Sequence, residues 1–128
     1  MISCIEVDIE KYTYMTRVGE GFEYCHNSLN HIVSSFNNNI ERYAIFDDYV
    51  NIGFYTMIET NTKELWLCYL EIKECYRGYG YGKKVLDILK DKHDEIWLKA
   101  REDSLIEYYK KNGWDVVDGN VMKYTKAL

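Results

Sequence analysis

The segment YRGYGYGK at 76–83 sets one arginine, three glycines at every second position and a lysine within eight residues. The chain contains no proline, so glycine is its only strong backbone breaker, and no other segment is so rich in it. An apolar run, LWLCYLEIK at 65–73, leads into this segment, and Val85, Leu86, Ile88 and Leu89 follow it with the spacing of an amphipathic helix. A strand, a glycine-rich turn and a helix start in succession bring backbone N–H groups and the positive end of a helix dipole to one point, which suits a phosphate group. Gly78, Gly80 and Gly82 would leave that backbone uncovered, with Tyr79 and Tyr81 between them. Arg77 offers a bidentate guanidinium to phosphate oxygens and Lys83 a looser charge. The segment therefore reads as a diphosphate site. The plainer alternative makes the glycines a tight strand-to-helix connection and Arg77 a solvated surface residue.

Two better-known phosphate loops do not fit the spacing. A dinucleotide fingerprint GxGxxG begun at Gly78 needs glycine where Lys83 stands. A P-loop GxxxxGK[ST] built on Gly82 needs glycine at Arg77 and a hydroxyl at Lys84.

The elements around this loop must come from a chain of 128 residues, enough for one compact domain, 1–128, with a single sizeable core. With 47% hydrophobic and 29% charged residues the composition is that of a globular protein. The longest apolar runs fall far short of the roughly 20 residues that span a bilayer, so no membrane segment is expected. The first residues lack the pattern of a secretory signal, and Cys4, Cys25, Cys68 and Cys75 form no CxxC pair. A cytoplasmic location with four reduced, mostly buried thiols and no metal is the expectation. A net charge of −5 weighs against nucleic acid as a partner.

Alternation at 2–9 predicts a first strand, and Phe22, Cys25, Leu29, Ile32, Val33 and Phe36 predict a helix running to about Asn38. Residues 43–48 and 49–59 read as a hairpin, 65–73 as a strand, and 95–100 as a short strand after the helix that ends by His93. SLIE at 104–107 has capping-box spacing and places a helix start at Asp103 or Ser104. WDVV and VMKYT, joined across Asp118, Gly119 and Asn120, read as a closing hairpin. The order β-α-β-β-β-α-β-α-β-β predicts a mixed α/β (α+β) architecture.

The pattern RxxGxG, met by Arg77, Gly80 and Gly82 between a strand and a helix, resembles that of the GCN5-related N-acetyltransferase family. YKKNGW at 109–114 is similar to that family's YxxxGF, and NIGFY at 51–55 resembles its third strand, so the likeness covers about residues 43–124. It implies a single acyl-CoA N-acyltransferase domain that binds the pyrophosphate of acetyl-coenzyme A at residues 77–83. It also implies that the backbone of Leu70 to Ile72 holds the pantetheine arm, on a fourth strand that parts from the fifth. The reaction would be direct attack of a primary amine on the thioester, the amine belonging to a small molecule or to a protein lysine or N-terminus.

In this reading Tyr109 is the general acid for the leaving thiolate, its phenol being protonated at neutral pH. Tyr108 is its rival if the helix register slips. Glu71 is the candidate general base. Strict alternation would put Glu64 and Glu71 on opposite faces of their strand. His26, His31 and His93 suggest no catalytic role. Two other readings remain: a catalytically silent acyl-coenzyme A binding module, and a small interaction protein with structural glycines. Open sheet edges leave room for a homodimer.

Overall fold

The computed structural model describes residues 1–18 and 40–127. Its elements are β1 (Ile2–Val7), α1 (Ile9–Val18), β2 (Ile40–Asp47), β3 (Val50–Glu59), β4 (Leu65–Ile72), α2 (Tyr81–Lys92), β5 (Glu95–Lys99), α3 (Asp103–Lys111), β6 (Asp115–Asp118) and β7 (Val121–Thr125). The seven strands form one sheet in the order β1-β2-β3-β4-β5-β7-β6. Each neighbouring pair is antiparallel except β4 with β5, which are parallel. Only that pair needs a long crossover, and α2 supplies it.

The predicted helix at 22–38 lies outside the described residues. Helix α1 was not anticipated: the first strand stops at Val7 rather than running to residue 9. Asp8 ends it, because its carboxylate accepts from the Lys11 N–H at 2.8 Å and caps the new helix. The buried Tyr12 of α1 then packs edge-on against Phe54 of β3, with ring centroids 5.4 Å apart. The capping box predicted at SLIE does not form. Helix α3 does start at Asp103, but extended Glu102 precedes it without a side-chain cap, and Ser104 lies inside its first turn.

Two apolar layers flank the sheet. On one face, Val85, Leu86 and Leu89 of α2 pack with Ile45, Tyr55, Met57, Leu67, Ile96, Leu98 and Trp114, and Leu105, Ile106 and Tyr109 of α3 join them. On the other face, Val7, Tyr12, Ala44 and Phe54 form a smaller cluster with Met15, Ile40 and Tyr69. Of the four thiols expected to be mostly buried, Cys25 lies outside the described residues, Cys68 and Cys75 are exposed and Cys4 is partly so. Cysteine placement follows the strand register here, and a bulge at Cys68 turns that side chain out of the core.

Gly53 of β3 shows how tightly β3 and β4 are set. A Cβ there would lie 2.4 Å from the carbonyl oxygen of Glu71, a backbone atom with nowhere to go. Gly53→Ala is therefore expected to destabilise the protein by roughly 1–3 kcal/mol through forced separation of the two strands. Equilibrium urea unfolding checks this, and an unchanged midpoint would show that the strands part without cost.

Candidate active site

The site begins with one extra residue in β4. Met57 pairs with Leu67 and Thr56 with Tyr69, leaving Cys68 as a bulge. A bulge bends its strand and sharpens the local twist. Parallel pairing of β4 with β5 is confined to Trp66 with Trp97 and Leu67 with Leu98, although β4 runs on to Ile72. The two strands therefore part at Cys68. A stacked pair of indoles, Trp66 and Trp97, closes the joined end, with centroids 5.5 Å apart.

The bulge also reverses the side-chain alternation. Leu65 and Leu67 before it, and Leu70 and Ile72 after it, all pack on the α2 face. Glu64 and Glu71 consequently share the opposite face, contrary to strict alternation, because two residues rather than one separate the faces at the bulge.

A cavity of about 450 Å³ fills the gap between the parted strands. Thr56, Ile58 and Tyr69 line it from the α1 face, and Leu70, Leu98, Leu105 and Tyr109 from the α2 face. The cavity thus runs through the sheet, which lets two reactants approach from opposite sides. Its size is that of a small-molecule site.

Strand β4 leads from the cavity into the glycine loop. After one 3₁₀ turn at Glu74–Tyr76 the chain takes positive φ at Gly78 (85°) and Gly80 (81°), conformations that favour glycine. Gly80 is the N-cap of α2, so no side chain caps the helix, and no acidic residue occupies its first turn. Gly82 has ordinary helical φ, and a Cβ there would meet nothing within 4 Å. Its glycine weakens the helix without a packing reason. What it leaves is an uncovered row of first-turn N–H donors at a positive dipole end.

The flanking side chains divide between tethers and free charge. The Tyr81 hydroxyl donates to Asp47 at 2.7 Å, fastening the start of α2 to the β2–β3 turn. That bond raises the Tyr81 pKa and lowers that of Asp47. Lys83 reaches only Asp87, one turn along the exposed face of α2, while Tyr79 lies 70% exposed. Arg77 folds back over the end of β4: its Nε donates to the Ile72 carbonyl at 2.7 Å and its Nη2 to the Glu71 carboxylate at 3.2 Å. Glu71 is 4% exposed and does not line the cavity. These two residues are therefore brought to each other, with Glu71 away from Tyr109. Sequence reasoning had no signal for this pair, since it depends on where the bulge points Glu71.

Tyr109 is held by the end of its helix. Trp114 N–H donates to the Tyr109 carbonyl at 3.0 Å and Gly113 N–H to the Lys110 carbonyl at 3.2 Å. Gly113 has φ of 92°, which completes a Schellman motif. The motif's apolar contact is the Tyr109 ring against the Trp114 indole, centroids 5.7 Å apart. The spacing YKKNGW is thus a helix stop that fixes one tyrosine against a buried tryptophan. Burial, and then Tyr108, raise the Tyr109 pKa, so the phenol keeps its proton. Tyr108 is 38% exposed and does not line the cavity, whereas Tyr109 does.

Most of the cavity lining escaped the sequence reading, Cys68 and Thr56 among it. The Cys68 thiol opens on the cavity yet is desolvated by its walls, which push its pKa up to about 11. Thr56 is 1% exposed, and its hydroxyl has no hydrogen-bond partner among the described residues. Among those residues no three His, Cys, Asp or Glu side chains gather as metal ligands, and no helix is long and apolar enough to cross a membrane.

No family model and no curated protein sequence matches the chain. Solved structures do match its backbone over nearly its whole length. The PaiA N-acetyltransferase of Thermoplasma acidophilum, solved with coenzyme A, is 24% identical, with a TM-score of 0.59 over 98% of this chain and 99% of that one. An acetyltransferase of the GNAT family from Staphylococcus aureus is 16% identical, with a TM-score of 0.61 over 99% and 100%. This is the GCN5-related N-acetyltransferase fold. AtaTR bound with acetyl-CoA is similar too, with a TM-score of 0.70 at 15% identity over 97% of this chain and 93% of that one. Within the GCN5-related fold, the parted β4 and β5 and the Tyr109 helix border one cavity, and β4 continues from it into the glycine loop.

The Arg77–Glu71 pair gives an order of stability. Arg77→Met leaves a buried carboxylate short of a donor and is expected to cost about 2 kcal/mol. Glu71→Gln keeps an acceptor and frees an arginine that is already 42% exposed, so it is expected to cost less than about 1 kcal/mol. Urea unfolding of both variants gives the comparison; a larger loss for Glu71→Gln would contradict the pairing as described.

Proposed function

We propose that this chain is an acetyl-CoA-dependent N-acetyltransferase that moves an acetyl group to a primary amine within a ternary complex. The observation that carries the proposal is the cavity passing through the sheet where β4 leaves β5, with Tyr109 on one wall and the uncapped start of α2 at the end of the same strand. The residues suit the coenzyme. First-turn N–H groups of α2 around Gly80, Gly82 and Lys83, beside the Gly78–Tyr79 turn, would take the pyrophosphate. The edge of β4 from Leu70 to Ile72, which has no β5 partner, would hold the pantetheine amides. Bound there, the coenzyme supplies an activated acetyl thioester.

The chain's own groups do the rest. Its walls exclude water and bring two reactants from opposite faces of the sheet, so positioning provides most of the rate. A free N–H of the parted strand is a donor for developing oxyanion charge. Tyr109 holds the proton that the departing sulfur needs. Arg77 and Glu71 position the loop by locking its first turn onto β4, rather than touching reactants. Lys83 adds an exposed positive charge beside the phosphate end. A cysteine route is disfavoured: desolvation by the cavity walls pushes the Cys68 pKa up, which favours the protonated thiol. The acceptor is a small-molecule amine or a protein amine, and the further inference below narrows it.

Turnover tests the proposal, followed as free-thiol release from acetyl-CoA against a panel of primary amines. Tyr109→Phe is expected to lower kcat about 10²-fold with coenzyme affinity unchanged. Because the Tyr109 pKa lies above its usual value, the wild type keeps the acid protonated and the wild-type to variant ratio should stay flat from about pH 6 to 9. Cys68→Ala is expected to retain turnover, and its loss would put an acyl-cysteine step back in place of direct attack. Coenzyme binding without any turnover would support the silent module instead, and no binding at millimolar coenzyme would leave the interaction protein.

A further inference from the structure

Across β2 and β3, Arg42 stands directly opposite Thr56 in the register. Arg42 alternates with Tyr43 and Ile45 of the α2 face and so lies on the α1 face, as Thr56 does between Tyr55 and Met57. Directly opposed residues on one face have Cβ atoms within about 5.5 Å of each other. Thr56 lines the cavity at this face, with Ile40 two residues before Arg42. Two donors here are buried without hydrogen-bond partners among the described residues: the Arg42 Nε–H and the Thr56 hydroxyl. Burial lowers the Arg42 pKa, and among the described residues the group opposing that shift is the phenol of Tyr12 rather than a carboxylate.

An arginine nitrogen buried with no partner is costly, and so is a buried hydroxyl with none. Adjacent on one face, with Thr56 on the wall of the cavity and Arg42 directly behind it across the β2–β3 ladder, the two donors match the two oxygens of a planar carboxylate. We propose that Arg42 and Thr56 bind a carboxylate of the acceptor, so that the preferred substrate is an amine that also carries a carboxylate. The inference rests on the transferase reading for the word acceptor. The anion site itself does not depend on turnover.

The test uses reaction-product mimics, which need no catalysis. N-acetylglycine, N-acetyl-β-alanine and N-acetyl-γ-aminobutyrate vary the distance from amide to carboxylate, and their carboxamides serve as neutral isosteres. Affinity is measured calorimetrically with and without coenzyme A, and the Arg42 Nε–H resonance is followed by ¹H–¹⁵N NMR. At least one acid is expected to bind about tenfold or more tightly than its carboxamide and to shift the Arg42 resonance. Arg42→Gln should abolish that preference, and Thr56→Val should reduce it. A thermal melt separates recognition from scaffolding. Replacing this half-buried guanidinium, whose Nε–H lacks a partner among the described residues, in Arg42→Leu should leave the melting temperature unchanged or raise it, whereas a structural arginine would lower it. Equal affinity for acids and carboxamides, an unmoved Arg42 resonance, or a preference that survives Arg42→Gln overturns the proposal. Absence of coenzyme binding in the same titrations would instead overturn the transferase reading, with the acid-to-carboxamide comparison still standing.

Discussion

A β-ladder that loses its partner exposes N–H and C=O groups that must be satisfied by something else. The parting of β4 from β5 is where this chain accepts that cost, and most of the site depends on it. One extra residue, Cys68, bends β4 after two parallel pairs, and the remaining strand edge faces a cavity instead of a neighbour. The Trp66–Trp97 stack holds the strands together on one side of the parting. On the other side nothing in the ladder does, which makes the freed edge available to a ligand with amides of its own.

The same bulge decides which charges can work where. It turns Glu71 to the face where Arg77 can close over it, and the pair then ties the first turn of the loop to the strand. The arginine read as a phosphate clamp meets the strand end and Glu71 in this structure. In the proposed reading phosphate recognition would rest on backbone donors at the start of α2, where Gly80 and Gly82 leave them bare. Backbone donors are already in place before a ligand arrives, whereas a long side chain must be ordered to act.

Much of this was legible in the sequence. The strand–glycine–helix succession located the loop, because turn chemistry is local and needs few residues to specify it, whereas YKKNGW was read only as a motif and its helix stop came from the structure. The order of elements along the chain, with its closing hairpin, was legible too, whereas the order of strands in the sheet came from the structure. The Cys68 bulge was not legible, since a one-residue insertion leaves no mark in composition and is set by pairing across β3. Every consequence of it was missed as well: the shared face of Glu64 and Glu71, the Arg77–Glu71 pair and the outward thiol. Helix α1 was hidden for a different reason. Its stripe of Ile9, Tyr12 and Met15 is short, and alternation at 2–9 overran the Asp8 cap.

The account stands or falls on whether the freed edge of β4 and the bare start of α2 form one binding surface. The most direct measurement is a ¹H–¹⁵N backbone titration of the protein with coenzyme A. The account predicts that amides of residues 69–72 and 78–83 shift together along one saturating isotherm, while those of β6 stay in place. Shifts confined to other regions, or none at millimolar ligand, would contradict it.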